Sequence, residues 1–213
     1  MYRTLARVGK GLMADEKRRI PVWIIVAALV VAALVGYGVF HYTRTDQVRV
    51  DLPAIGGPFS LIDQNGKTVT DEDFDDQFKL IHFGYTYSIN LSATTLSTIT
   101  EALELLGDEG ERVAPLFITI DPERDSPEHL KMYLEHFHPR FVGLSGPQDA
   151  IAKTADRFQI HFARVENLGA DAEDYEIDHT SIVYLMGPDG DFRAHFTDGA
   201  RPEAIAERIR EYL

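Results

Sequence analysis

The sequence predicts a single α/β sandwich preceded by one N-terminal transmembrane helix. A charge-free run of 21 residues covers positions 20–40, and at about 1.5 Å of helix per residue it matches the hydrocarbon thickness of a bilayer. From residue 59 onward, short apolar strands alternate with helical patterns, and a hairpin and a helix close the chain. This alternation is typical of an α/β sandwich. A chain of 213 residues has room for one such domain and an appendage.

The apolar run is interpreted as an uncleaved anchor at residues 20–42. The basic residues before it are Arg3, Arg7, Lys10, Lys17, Arg18 and Arg19. Only Arg44 and Arg49 follow closely, so the positive-inside rule places residues 1–19 in the cytoplasm and the C-terminal domain on the outer side, periplasmic or equivalent. The alternative is a cleaved signal peptide, but its apolar core would be about 7–15 residues long and end at a small-residue cleavage site.

Turn, cap and periodicity signals then define the elements in chain order. Residues 43–58 are predicted to be a linker, because four proline and glycine residues fall within 53–58. Asn65-Gly66 predicts the turn of a first hairpin, and Ser126-Pro127 predicts the N-terminus of a helix. The predicted strands are residues 59–63, 67–70, 80–85, 113–120, 141–144, 181–186 and 191–196. The predicted helices are residues 94–106, 126–137, 148–158 and 202–213.

Charge and cysteine content argue against two classes of function. Residues 1–50 hold 8 basic and 3 acidic residues, which leaves 13 basic and 31 acidic residues in the rest of the chain. A domain of that charge repels phosphate backbones, so no nucleic-acid partner is expected. The chain has no cysteine. It therefore has no disulfide, no thiolate metal site and no redox-active thiol.

Three segments carry recognisable motifs. Residues 83–93 read FGYTYSINLSA, residues 121–128 read DPERDSPE, and Asp178-His179 precedes the last predicted hairpin. In this order they resemble the F-G-Y-T-x-C-P-x-x-C-P, D-P-x-R-D-T-P and D-H-(S/T) motifs of the Sco/SenC family, over about residues 55–213. The resemblance implies a thioredoxin-like domain at residues 59–213. It also implies a link to assembly of the dinuclear copper centre of cytochrome c oxidase.

The family is described as binding copper through two cysteines and one histidine, and those positions fall here on Ser88, Ser92 and His179. Cu(I) is soft and selects thiolate or thioether ligands, so the two serines are not expected to bind it. Oxygen cannot replace a thiolate in disulfide exchange. The prolines that usually follow each cysteine are also replaced, by Ile89 and Ala93, which favours natural divergence over engineering.

Each candidate residue also has a purely structural interpretation. Ser88 and Ser92 are expected to cap the following helix. A serine nucleophile with His179 as base is disfavoured because Asp178 is its sequence neighbour and no G-x-S-x-G motif exists. His82 is expected to pack in the core, and Asp121 and Asp125 to make turn and cap hydrogen bonds. The residues expected to be solvated are His136, His138 and the acidic stretch 71–76. His161 and His195 belong to no recognised metal spacing.

The sequence therefore predicts a non-catalytic, membrane-tethered binding or assembly protein with no catalytic residue and no cofactor. Its expected partners are the membrane and proteins of respiratory oxidase assembly. The alternative is residual copper binding or delivery, of Cu(II) for example, through His179 and nearby oxygen or histidine donors such as His82.

Overall fold

The computed structural model describes residues 22–43, 54–88, 91–166 and 175–213. The chain forms two compact units, Met1–Val50 and Asp51–Leu213. The described part of the first unit is helix α1 (Val22–Thr43), which overlaps the segment predicted as an anchor. Within the ranges given above, no helix is both long enough and apolar enough to cross a bilayer. The predicted cytoplasmic segment 1–19 and most of the predicted linker lie outside the described residues.

The second unit is built on a seven-stranded mixed sheet and a separate two-stranded sheet. The strands are β1 (Ser60–Asp63), β2 (Thr68–Thr70), β3 (Phe78–Gly84), β4 (Val113–Thr119), β5 (Val142–Ser145), β6 (Phe162–Glu166), β7 (Tyr175–His179), β8 (Ile182–Met186) and β9 (Phe192–Thr197). The large sheet has the order β2-β1-β5-β4-β3-β8-β9, and β6 pairs with β7. The β3–β4 and β4–β5 pairs are parallel, and the remaining pairs are antiparallel.

Helices cover both faces of the large sheet. They are α2 (Leu91–Leu106), α3 (Pro127–Leu134), α4 (Gln148–Arg157) and α5 (Pro202–Arg210). The buried side chains of α2, α3 and α5 belong to one hydrophobic cluster, and those of α4 belong to another. Every residue of β3 and β4 is buried, as expected of central parallel strands covered on both faces. The predicted α/β sandwich is confirmed.

Several local signals act as predicted. Ser126 caps α3, its hydroxyl accepting a hydrogen bond from the His129 N–H at 3.2 Å. Gly66 and Gly190 adopt φ of +80°, which suits glycine in the two hairpin turns. In the acidic stretch, Glu72, Asp73, Asp75 and Asp76 are exposed as predicted, but the segment is not a plain loop. Residues Asp71–Phe74 form a 3₁₀ turn that buries Phe74, and the Asp71 carboxylate accepts a hydrogen bond from the Phe59 N–H at 2.9 Å.

The β6–β7 hairpin is the main element that the sequence did not predict. Tyr175 and Ile177 of β7 are buried, whereas Glu176 and Asp178 between them are exposed. This alternation is a strand signal, but it covers only five residues. The hairpin brings His179, at the end of β7, opposite Phe162 at the start of β6.

Candidate functional site

The motif residues meet where β3 and β4 end and the β6–β7 hairpin packs. Tyr85, the first residue after β3, connects the three parts. Its N–H donates to the Ser92 hydroxyl at 3.3 Å, and its phenolic oxygen accepts a hydrogen bond from the Ile177 N–H at 3.2 Å. Its ring also makes an edge contact with the His179 ring, with 5.7 Å between centroids. The structure therefore brings the predicted positions Ser92 and His179 to one place.

Ser92 does not cap the helix as predicted, and a cap by Ser88 would involve residues outside the described ranges. Helix α2 begins at Leu91, so Ser92 lies within its first turn, fully buried, and its hydroxyl faces the loop instead of an orphan N–H of the helix. Ser88 is half-buried, and its backbone N–H donates to the Tyr85 carbonyl at 3.1 Å. Ile89 lies outside the described residues. Ser92 thus stabilises the loop after β3 by accepting the Tyr85 N–H.

His179 is oriented by its own strand. Its Nδ1 lies 3.2 Å from the Ile177 carbonyl oxygen, which assigns the proton to Nδ1 and leaves the lone pair on Nε2. Nε2 is buried and has no hydrogen-bond partner among the residues that the structure describes. Asp178 is exposed on the opposite face of β7. Asp178 therefore does not orient the His179 ring as the aspartate of a serine–histidine–aspartate triad would, because the Ile177 carbonyl holds that ring.

His82 is fully buried in β3, as expected of a core residue, yet both of its ring nitrogens lack a partner within the described ranges. Burial, and to a smaller extent nearby His179, lower the pKa of His82 to about 4. The backbone of Ile182 opposes the shift but does not meet the distance and angle of a hydrogen bond. His82 is therefore neutral at physiological pH.

Gly84 lies between these side chains. A β-carbon at this position would lie 2.5 Å from the Ser92 hydroxyl oxygen, 3.0 Å from His82 Nε2 and 3.1 Å from the Phe117 ring. Such distances are below van der Waals contact, so the convergence of the two polar atoms depends on glycine. Gly84 is the site residue whose role the sequence did not predict, and the missing partners of the His82 ring were not predicted either. An imidazole inside an apolar strand was the available signal.

The turn after β4 holds a second buried polar cluster. The Asp125 carboxylate accepts hydrogen bonds from the hydroxyls of Thr119 at 2.6 Å and Thr86 at 2.5 Å, and from the Thr86 N–H at 3.0 Å. Burial raises the pKa of Asp125, although these hydrogen bonds oppose the shift. Asp125 therefore hydrogen-bonds as predicted, but to Thr86 and Thr119 and not as a cap, since Ser126 caps α3. Through Thr86, the turn also fixes the loop after β3.

Asp121 ties the turn to the β6–β7 hairpin. Its carboxylate accepts hydrogen bonds from the Tyr175 hydroxyl at 2.7 Å and from Arg124 Nε at 2.5 Å. The Tyr175 ring lies between two guanidinium groups, with Arg124 at 3.6 Å and Arg164 at 3.5 Å from its centroid. Burial and the bond to Asp121 raise the pKa of Tyr175 to about 12. The turn-bonding role predicted for Asp121 is confirmed.

Of the other histidines, His161 lines a surface cavity together with His179. His136, His161 and His195 are exposed, and His138 is half-buried beside α3. Within the described part of the chain, no group of three or more histidine, aspartate or glutamate residues is placed to hold a metal ion.

The donors at the three motif positions do not suit Cu(I). Ser92 and Ser88 offer hydroxyl oxygens, which are hard donors, and His179 offers one imidazole nitrogen. A soft monovalent ion requires thiolate or thioether ligands. The three motif positions therefore do not form a Cu(I) site.

The amino-acid sequence was compared with protein-family models and with known proteins. The family model described as SCO1/SenC matches residues 49–213. A SCO2-like protein of Rickettsia felis is 37% identical over 198 residues, covering 88% of this chain and 96% of that protein. The mitochondrial SCO1 homolog of Mus musculus is 37% identical over 163 residues, covering 76% of this chain and 57% of that protein.

Solved structures give the same result. The structure of Bradyrhizobium japonicum ScoI with copper bound is 41% identical, with a TM-score of 0.69, and covers 75% of this chain and 100% of that one. Yeast Sco1 with copper bound is 33% identical, with a TM-score of 0.69, and covers 75% of this chain and 88% of that one. The predicted thioredoxin-like fold is confirmed.

Proposed function

The chain belongs to the SCO1/SenC family, and on that premise we propose that it is a non-catalytic binding protein of cytochrome c oxidase assembly. The observation that carries the proposal is the combination of an intact family domain with serines at both thiol positions. A chain without cysteine neither exchanges disulfides nor holds Cu(I) through thiolates. With both thiol activities excluded, the role left to the family domain is binding of a partner through its surface. A relative of known structure is described as a member of the Sco family of cytochrome c oxidase assembly proteins.

The loop after β3 offers an anchor for such a partner. Tyr87 is 52% exposed, and its ring stacks on His129 with 5.7 Å between centroids. The Arg124 guanidinium lies 4.7 Å from the Tyr87 ring centroid. An aromatic ring with a rigid support and a polar tip loses little conformational entropy on binding, which is why tyrosine is enriched at protein interfaces.

Capture of the oxidase subunit that carries the dinuclear copper centre tests the proposal. We expect the tagged full-length chain to retain this subunit, and Tyr87→Ala to weaken retention by about tenfold or more, as truncated interface anchors do. The matched control is Leu105→Ala, which removes a comparably exposed side chain, 48% exposed, from the C-terminal end of α2. No retention by the wild-type chain, or equal loss with both variants, would contradict the proposal.

Absence of catalysis is tested separately. A fluorophosphonate probe is expected to leave the chain unlabelled, because the Ser92 hydroxyl is buried against the Tyr85 N–H and His179 is held by a backbone carbonyl. Stoichiometric labelling of Ser88 or Ser92 would reject the non-catalytic assignment.

We further propose that residues 20–42 tether the domain to a membrane, with residues 1–19 on the cytoplasmic side. The charge-free run of residues 20–40 and the six basic residues before it support this topology. The full chain is expected to resist extraction from membranes by alkaline carbonate and to keep its original N-terminus. A mature N-terminus near residue 40 would show instead that the segment is a cleaved signal peptide.

A further inference from the structure

Lys79 is a buried cation near the start of β3, at the opposite end of the strand from the candidate site. Only 3% of the residue is exposed. Its ammonium group donates hydrogen bonds to the Phe74 carbonyl at 3.2 Å and the Pro188 carbonyl at 3.5 Å. The Asp75 carboxylate lies 3.8 Å away, beyond hydrogen-bond distance. Because an ammonium group has three N–H donors, one donor of Lys79 has no acceptor in the described part of the chain.

A cavity of about 220 Å³ lies beside this amine. Four buried apolar residues line it, and they are Phe59, Ile81, Phe158 and Met186. A water molecule takes up about 30 Å³ of the liquid, so the cavity holds several waters or one small organic molecule. It is smaller than the sites of about 300–1,000 Å³ that bind drug-sized ligands.

Charge limits what this cavity admits. The aspartates that line it are Asp71, Asp75, Asp189 and Asp191. Arg193 forms ion pairs with two of them, Asp189 and Asp191, so four carboxylates face two cations. The excess negative charge repels anions, and the buried ammonium group repels cations. The cavity therefore suits a neutral molecule with an apolar body and an oxygen that accepts the free N–H of Lys79, as a carbonyl group does.

The surroundings of Lys79 also favour reaction with such a carbonyl group. Burial lowers the pKa of Lys79, although Asp75, Asp71 and Asp189 oppose the shift. A lysine that is desolvated in a pocket is a better nucleophile than a solvated one, because more of it is the neutral amine. A carbonyl compound in the cavity thus meets an activated amine.

We propose that Lys79 is a covalent modification site for small neutral aldehydes that enter this cavity. The ammonium group loses one proton to water, and its nitrogen then forms a bond to the aldehyde carbon. The carbonyl oxygen leaves as water with the two remaining amine protons, which gives an imine, and nothing is oxidised or reduced. The site goes beyond the proposed assembly role and does not depend on it.

Reductive trapping of the wild-type, full-length chain with benzaldehyde and cyanoborohydride tests the site. Mass spectrometry of proteolytic peptides measures labelling at each lysine. Lys67 is the matched internal control, because its amine also lies near an aspartate, 3.9 Å from Asp73, but its side chain is 69% exposed. We expect labelling of Lys79 to be about tenfold faster than labelling of Lys67 at about pH 7. As the pH falls from about 9 to about 7, labelling of Lys79 should decrease less steeply.

The charge argument is tested by 4-carboxybenzaldehyde, which has nearly the same shape as benzaldehyde but carries a negative charge. The carboxylates that line the cavity should exclude it. The ratio of Lys79 labelling to Lys67 labelling should therefore fall by about tenfold when this aldehyde replaces benzaldehyde. Comparing two lysines within one reaction cancels the difference in intrinsic reactivity between the two aldehydes.

Two results would overturn the site. One is labelling of Lys79 by benzaldehyde that is no faster than labelling of Lys67 at about pH 7. The other is the same ratio of Lys79 to Lys67 labelling with both aldehydes. The reaction contains no oxidase subunit, so its failure would leave the proposed assembly role in place, and failed subunit capture would leave the modification site in place.

Discussion

The turn after β4 and the loop after β3 end neighbouring parallel strands, and they differ in how they treat buried polar groups. In the turn, Asp121 and Asp125 are buried, and hydroxyl, guanidinium and backbone donors occupy their carboxylates. At the end of β3, His82 is equally buried and neither ring nitrogen has a partner in the described structure. The satisfied cluster stabilises the fold, whereas the unpartnered His82 nitrogens lower the stability at the end of β3.

The turn after β4 therefore belongs to the scaffold of the domain, and the end of β3 belongs to the candidate site. A satisfied buried network rigidifies the part of the fold in which it lies, while an orphaned buried atom persists only where something else repays its cost. The family motifs fall into both classes, since DPERDSPE supplies the network and Ser92 and His179 adjoin the orphaned nitrogens. Substitutions in the two regions should therefore have different consequences.

The largest expected effect comes from returning sulfur to the loop. Ser88→Cys combined with Ser92→Cys should raise affinity for Cu(I) by about a thousandfold or more, which corresponds to about 4 kcal/mol, because two thiolates then join His179. Competition with a chromophoric Cu(I) chelator measures the change. The control is the same double variant with His179→Ala, which should bind more weakly. Affinity equal to that of the wild-type chain would show that the loop cannot bring the two positions together.

The next effect is expected in the turn. Asp125→Ala removes the acceptor for Thr119 and for two donors of Thr86, and leaves these groups buried. The free energy of unfolding should fall by about 3 kcal/mol. Asp178→Ala, which truncates an exposed aspartate of β7, should change it by less than about 0.5 kcal/mol. Equal effects in urea titrations would remove the distinction between the two regions.

The third effect is a pH dependence that arises from His82. Its pKa of about 4 in the folded chain lies below the ordinary value of 6.5, so the unfolded chain binds the proton more readily. The contribution of neutral His82 to the free energy of unfolding is therefore fully present above about pH 6.5, and it decreases as the pH falls towards 4. Between pH 7 and pH 5, this group should lower the free energy of unfolding by about 2 kcal/mol. Urea titrations of His82→Phe should lack this pH dependence. Identical pH profiles for the variant and the wild-type chain would show that His82 is not its source.

The smallest effect concerns the two serines. Ser92→Ala leaves the buried Tyr85 N–H without its acceptor and should lower the free energy of unfolding by about 1 kcal/mol. Ser88→Ala should cost less than about 0.5 kcal/mol, since Ser88 is half-buried and bonds to Tyr85 through its backbone. A reversed order would show that Ser88, and not Ser92, stabilises the loop.

The sequence predicted the fold better than the site because the two depend on different information. The buried runs of β3 and β4 and the cap at Ser126 are local patterns, and each formed where it was expected. The role of Ser92 depends on where α2 begins, three residues earlier than the prediction. The orphaned nitrogens of His82 depend on what packs around them in three dimensions, which no spacing along the chain reveals.

The Tyr175 ring, held between the guanidinium groups of Arg124 and Arg164, also has a mechanical consequence. Tyr175, Ile177 and His179 occupy one face of β7, so the clamp lies four residues from the imidazole, about 13 Å along an extended strand. The contacts of Tyr175 with the two guanidinium groups therefore restrain the same face of β7 on which the imidazole lies.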